Sequence, residues 1–234
     1  MRGFFAAIVT VGTFLGLAAV AIAMGLFYKS GTIPRKLEKL WMWFVVKSGG
    51  LKITTEGAEN VPRNRAVVFA SNHSSQLDIP VLYFALPVPF CFLVKKELFK
   101  IPLFGTTMRQ MGHIPVDRSG GKAAMKSLKK AAESVKKGTS VVVFPEGTRS
   151  PTGKLLEFKP GVIMIALFAE SQVIPVAISG THNALPKGKL LMKPAEIKVK
   201  IGKPIDTVIQ GKRRDKQELT SEIEKKVAEL LNQG

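Results

Sequence analysis

The chain has 234 residues and a formal net charge of +18, from 35 Lys and Arg against 17 Asp and Glu. That length suits one domain of ordinary size plus an appendage, and the charge calls for anionic partners: nucleic acid, an anionic membrane surface or phosphorylated small molecules. A single cysteine, Cys91, excludes an intrachain disulfide, and the three histidines are far apart with no cysteine pairs beside them, so no metal-ligand pattern is visible.

Residues 4–27 run for 24 positions without a charge, long enough to cross a hydrocarbon core of about 30 Å. Ala21-Ile22-Ala23 resembles a signal cleavage site, but the apolar run is too long for a signal peptide and only Arg2 precedes it. Lys29, Arg35, Lys36 and Lys39 follow, so the positive-inside rule places the rest of the chain on the cytoplasmic side of the inner membrane. Gly12 and Gly16 form a small-xxx-small pair that permits close helix approach. Leu37, Leu40, Trp41, Phe44 and Val45 then fall at helical spacing, with Lys36 and Lys39 off the stripe. A basic amphipathic helix with tryptophans suits the headgroup region; the competing reading packs it on the soluble part as a core helix. With Gly31 and Pro34 as the break, residues 1–48 form a membrane-associated two-helix segment that spans the bilayer or dips into one leaflet.

Residues 49–234 alternate strand and helix patterns, which predicts an α/β fold. Strands are expected at 52–56, from Val67, at 90–94, 112–118, 140–144, 173–178 and 196–201. Helices are expected at 79–86, 121–137, 161–170 and 215–231, the last with Ser221 and Glu224 as a capping box. Pro115 suits an edge strand or a bulge. Residues 95–105 mix charge with bulky apolar groups, as a loop near lipid does.

The chemistry concentrates at three strand ends. A β-branched run stops at Ser71-Asn72, His73 follows on the turn, and Asp78 comes five residues later. A strand-to-helix turn at the carboxyl edge of a sheet is where α/β folds place chemistry. A histidine there can take a proton, and a carboxylate can fix its tautomer. The spacing works only if His73 precedes the helix and folds back on Asp78; two helix caps are the plainer alternative. Ser74 and Ser75 leave a serine nucleophile open, though no Gly-x-Ser-x-Gly elbow surrounds them. Arg118, at the end of another strand, has the planar fork that holds a phosphate, or pairs with Asp117 on the surface. Glu146-Gly147-Thr148-Arg149 follows a buried strand and offers backbone N–H groups, a hydroxyl and a guanidinium to a phosphate or an oxyanion.

Taken in order, Asn72-His73-Ser74-Ser75-Gln76-Leu77-Asp78, Gly112-His113-Ile114-Pro115-Val116-Asp117-Arg118, Phe144-Pro145-Glu146-Gly147-Thr148-Arg149-Ser150 and Val173-Ile174-Pro175-Val176 resemble the blocks of the glycerolipid acyltransferase family, specifically its 1-acyl-sn-glycerol-3-phosphate acyltransferases. The likeness covers roughly residues 50–205, with Pro115 standing where the family usually has an aromatic or other apolar residue. It implies a single mixed sheet flanked by helices, with His73 acting as general base on the free sn-2 hydroxyl of lysophosphatidic acid and Asp78 orienting the imidazole. The hydroxyl would attack an acyl thioester directly, giving phosphatidic acid with no covalent enzyme intermediate. Arg118 and Arg149 would hold the phosphate, with Glu146, Gly147 and Thr148 shaping its pocket. Pro175 and Lys95 would be weaker contacts to the acyl donor or the pocket wall. No metal or cofactor is implied; acyl-CoA or acyl carrier protein is a co-substrate, and membrane lipids are partners. Another lysophospholipid acceptor is the near alternative, and a basic binding module the distant one. Against the latter, no helix-turn-helix, zinc spacing or RNA-binding signature is present, so nucleic acid is not an expected partner.

Overall fold

The structure, a computed structural model, describes residues 2–27, 32–117 and 120–233. At its centre lie the two most apolar runs, β2 (Val68–Ser71) and β5 (Ser140–Val143), buried along their whole length. Strands this apolar need helices on both faces. The remaining elements supply them: α1 (Arg2–Phe27), α2 (Thr32–Gly49), β1 (Leu51–Glu56), α3 (Asp78–Ala85), β3 (Phe90–Lys95), α4 (Phe104–Gln110), β4 (Ile114–Val116), α5 (Gly121–Lys136), α6 (Pro160–Ala169), β6 (Val173–Ser179), α7 (Thr181–Ala184), β7 (Ala195–Ile201), the ribbon β8 (Val208–Ile209) and β9 (Lys212–Arg213), and α8 (Lys216–Asn232).

The sheet runs β1-β7-β6-β2-β5-β3-β4. Strands β6, β2, β5, β3 and β4 are mutually parallel, and only the β6–β7 pairing is antiparallel. The sheet is therefore mixed, as expected. Pro115, which cannot donate to a ladder, sits on the edge strand β4. Side chains alternate between two apolar layers. Phe69, Leu82, Phe92, Val142 and Ile174 pack beneath α2 and α3, whereas Val68, Val141, Ile163, Leu219 and Ile223 pack beneath α5, α6 and α8. Cys91 lies in the second layer, where burial pushes its thiol up to about 12, so it carries no thiolate at neutral pH.

Three expectations need correction. The buried face of α2 is Glu38, Met42, Val45 and Val46, and Leu40 and Trp43 are the exposed ones. The helix thus packs on the sheet, with its apolar stripe rotated from the one the spacing suggests. Residues 95–105 are not an open loop but a 3-10 turn, Lys96–Lys100, leading into α4, with Phe99, Met108 and Met111 clustered beneath. Finally, α8 is capped by Asp215, whose carboxylate accepts from the amides of Gln217 and Glu218. Ser221 is therefore mid-helix, and Glu224 accepts from the amide of Phe158 instead.

Helix α1 lies along α2, joined by Trp41 Nε1 donating to the carbonyl of Thr10 at 3.0 Å and by the Phe14 and Trp41 rings 5.0 Å apart. Its outer face is uncovered. The window Gly3–Val20 has a mean hydropathy of 2.1 and is 11% buried, long and apolar enough to cross a membrane. Gly12 and Gly16 touch nothing within the chain. Gly31 lies outside the described residues, and Pro34 falls in the first turn of α2, where a missing N–H costs nothing.

Gly180 makes the turn from β6 into α7 with φ 91°, and a Cβ there would stand 2.2 Å from the carbonyl oxygen of Glu196. Gly180→Ala therefore forces both a left-handed conformation on a β-carbon and a shift of β6 from β7. A cost of about 2 kcal/mol is expected, which lowers Tm by about 5 °C for a chain of this size. Thermal unfolding of the purified variant checks it.

Candidate active site

The five parallel strands end at one edge, and the loop after β2 is built there by short-range chemistry. Asn72 pins it to β6, its amide donating to the carbonyl of Ile178 at 2.9 Å while its oxygen accepts from the Ile178 amide at 2.8 Å. The chain then curls around Asp78 at the start of α3. Asp78 Oδ2 takes the ring Nδ1 of His73 at 2.8 Å and the amides of Ser74 and Ser75 at 2.8 and 2.9 Å. Its other oxygen accepts from Thr181 Oγ1 at 2.5 Å.

Asp78 is wholly buried. Three N–H groups on one oxygen need an acceptor-only carboxylate. Nδ1 of His73 must then carry the ring proton, which leaves the Nε2 lone pair free, and the side chain keeps 16% of its surface exposed. The carboxylate that ties the loop to the helix start thus also sets the tautomer of His73. The serine-nucleophile alternative fails. Ser74 Oγ shares a hydrogen bond with Thr181 Oγ1 at 3.1 Å, Ser75 Oγ donates to the carbonyl of Leu185 at 2.7 Å, and both residues are buried.

A second loop, following β5, closes over the first. The Phe144 ring stacks on the His73 imidazole, with centroids 4.0 Å apart and planes 16° from parallel, and Phe92 lies nearly parallel beyond it. Glu146 accepts the amide of His73 on Oε1 at 2.6 Å and that of Leu156 on Oε2 at 3.1 Å. Ser150 donates its amide to the carbonyl of His73 at 2.7 Å. Both peptide groups of His73 are therefore held by this loop. Glu146 was expected to shape a phosphate pocket, but both its oxygens serve backbone amides and it backs His73 instead. Burial pushes its carboxyl up to about 7, with the charges of Asp78 and Glu224 adding to the rise and the two amides opposing it.

The outer side of the same loop is cationic. Gly147 has φ 72°, and the Lys159 ammonium stands 3.4 Å from where a Cβ of Gly147 would be. Thr148 is exposed and Arg149 half-buried. Lys187 reaches across to donate to the carbonyl of Arg149 at 3.0 Å and to Thr148 Oγ1 at 3.3 Å. Thr181, Lys159 and Lys187 were not singled out from the sequence. Thr181 lies 103 residues from the carboxylate it serves, and its only signal was its place just past a strand end.

Arg118 lies outside the described residues; its neighbour Asp117, past β4, pairs with Lys96 Nζ at 2.5 Å. Lys95 ends β3 on the same sheet edge, exposed, with Glu97 3.9 Å away. Pro175 is not at the site. It shares strand parity with Val173 and Ala177, which face the second layer, and its ring lies against Gly202. The His73 stack of Phe144 and Phe92 belongs to the opposite face.

The acyltransferase family model matches residues 52–179, more than half of the chain, and spans both loops. This chain belongs to the acyltransferase family. It is 40% identical over 170 residues to the 1-acyl-sn-glycerol-3-phosphate acyltransferase of Cocos nucifera, covering 72% of this chain and 53% of that protein. It is 32% identical over 222 residues to the protein of the same name from Pseudomonas aeruginosa, covering 88% of this chain and 84% of that one. Against the crystal structure of PlsC, the 1-acyl-sn-glycerophosphate acyltransferase of Thermotoga maritima, the TM-score is 0.71 at 28% identity, over 98% of this chain and 95% of that one. The chain spans about half the length of the plant relatives it matches.

In this member of the acyltransferase family, the raised carboxyl of Glu146 makes a test of the second loop. A carboxyl moved from 4.5 to about 7 by folding adds stability that is complete below about pH 4.5 and is lost as pH climbs through about 7. The Tm of the wild type should therefore fall, relative to that of Glu146→Gln, across that window. Parallel Tm-against-pH curves for the two proteins would remove the buried carboxyl from the account.

Proposed function

We propose that this chain transfers an acyl group from an acyl thioester to the free sn-2 hydroxyl of a 1-acyl-glycerol-3-phosphate, giving phosphatidic acid. The observation that carries this is the His73–Asp78 pair, at 2.8 Å, with Nε2 open at a sheet edge bordered by the cationic loop of Arg149. His73 takes the proton of the acceptor hydroxyl as its oxygen attacks the thioester carbonyl. Asp78 stabilises the imidazolium that forms, and the proton passes on to the departing thiolate. The arrangement is that of a serine hydrolase triad in which the substrate hydroxyl stands where the serine would. Direct transfer fits the absence of a free nucleophile beside His73 among the described residues, since Ser74 and Ser75 are engaged.

General base catalysis supplies about 10²–10⁴ in rate, so placing both substrates against Nε2 contributes much of the rest. Arg149, flanked by Lys159 and Lys187, provides charge for the acceptor phosphate and for a phosphorylated donor, either acyl-CoA or acyl carrier protein; Arg118 is assigned to the same phosphate from its sequence block alone. The uncovered apolar face of α1 suits an acceptor and a product that are both lipids, with the sheet on the cytoplasmic side.

His73→Ala should lower kcat by about 10²–10⁴ and leave the donor KM within a few fold. Asp78→Asn should do nearly as much, because an amide cannot accept three N–H groups through one arm and still receive Thr181 on the other. Phosphatidic acid formation from lysophosphatidic acid and an acyl thioester measures both, and a near-normal rate for His73→Ala would eliminate the general base. Arg149→Ala should raise the acceptor KM about tenfold, the effect of losing one charged hydrogen bond of roughly 1.4 kcal/mol. With monoacylglycerol, which lacks the phosphate, the same substitution should cost little.

A further inference from the structure

At the sheet edge opposite His73 lies a second concavity. Helix α3 runs back from Asp78 for eight residues, about 12 Å, before residues 86–90 turn into β3. Between that turn and α2 is a groove of about 580 Å³. Its two sides differ in chemistry. Val88 and Phe90 stand in an apolar wall of loop residues, and Arg35, Lys36 and Lys39 line the side formed by α2. Arg35 is held in place, its Nε donating to the carbonyl of Met111 at 3.3 Å, while Lys36 and Lys39 are exposed.

Glu38 also borders the groove, but its carboxylate is already engaged. His113 Nε2 stands 2.7 Å from it, and His113 Nδ1 accepts from the amide of Phe92 at 3.1 Å, so Nε2 carries the proton and donates. Three cations against one carboxylate leave the groove positive. Tyr83 also lines the groove, its hydroxyl buried beside Glu38.

We propose that this groove binds an anionic phospholipid of the bilayer, its phosphate on Arg35, Lys36 and Lys39 and the start of one acyl chain on Val88 and Phe90. The site is separate from the one that holds the reactants. Phosphate alone leaves the apolar wall unused, and a neutral lipid leaves the cations unmet. The volume lies within the range of sites for ligands of moderate size. Helix α2 also packs against the apolar α1, which brings the groove to lipid.

The test is calorimetric titration of the full chain in neutral detergent with dihexanoyl phosphatidylglycerol and, separately, dihexanoyl phosphatidylcholine. Saturable binding of the anionic lipid is expected, at least tenfold tighter than that of the zwitterionic one. Lys36→Gln with Lys39→Gln should weaken it by about 25-fold at low salt, about fivefold per lysine, with Tm unchanged. Arg149→Ala should leave it unaltered. Equal affinity for the two lipids, or no loss in the double variant, overturns the proposal. Loss in Arg149→Ala instead assigns the lipid to the catalytic edge and overturns it too. Competition by inorganic phosphate as strong as by the lipid reduces the groove to an anion site and removes the acyl contact.

Discussion

A carboxylate with no access to water has to be met by donors, and Asp78 is met by four from two parts of the chain. Left without them, a buried charge costs several kcal/mol. That requirement draws the loop after β2 into a curl, fixes where α3 begins, and brings the start of α7 across to supply Thr181. Once those groups are in place, the orientation of His73 follows with no further device, because its ring nitrogen is one of the four donors. The stability of this edge and the orientation of His73 rest on the same hydrogen bonds.

Glu146 is the complement of Asp78. It too is a buried carboxylate holding backbone amides, but it has only two of them, and its burial and the charge of Asp78 keep its carboxyl near 7. One loop thereby has two faces. Glu146 points inward to grip the peptide of His73, and Arg149 lies on the other side among Lys159 and Lys187. Aligning base and cations this way depends on Gly147 turning the chain between them with a positive φ.

Much of this was legible in the sequence because it is local. His73 and Asp78 are five residues apart, the Glu146–Arg149 loop directly follows a run of valines, and Pro115 marks an edge by what it lacks. What was not legible depends on contacts made across the fold. The helical period shows that 35–47 is amphipathic, yet the buried face centres on Glu38, a residue any hydropathy rule assigns to water. His113, 75 residues away, accounts for it. Pro175 looked like a wall residue because it falls within a recognisable block, but strand parity turns it to the far layer. At α8 two capping patterns compete within one helix, and Asp215 prevails because it comes first and bonds two amides.

The Glu38–His113 contact also bears on which part of the apolar end can be removed. Cutting the chain near residue 48 would orphan a ring N–H that is 2% exposed and would strip Val45 and Val46 from the layer beneath α3. The second helix is therefore a roof over the sheet, not a tether that can be trimmed. The surface to redecorate lies on the first helix, where Phe4, Phe5, Ile8, Val11 and Leu15 already face outward. Polar side chains at those five positions would cut the exposed apolar surface while leaving the roof where it is.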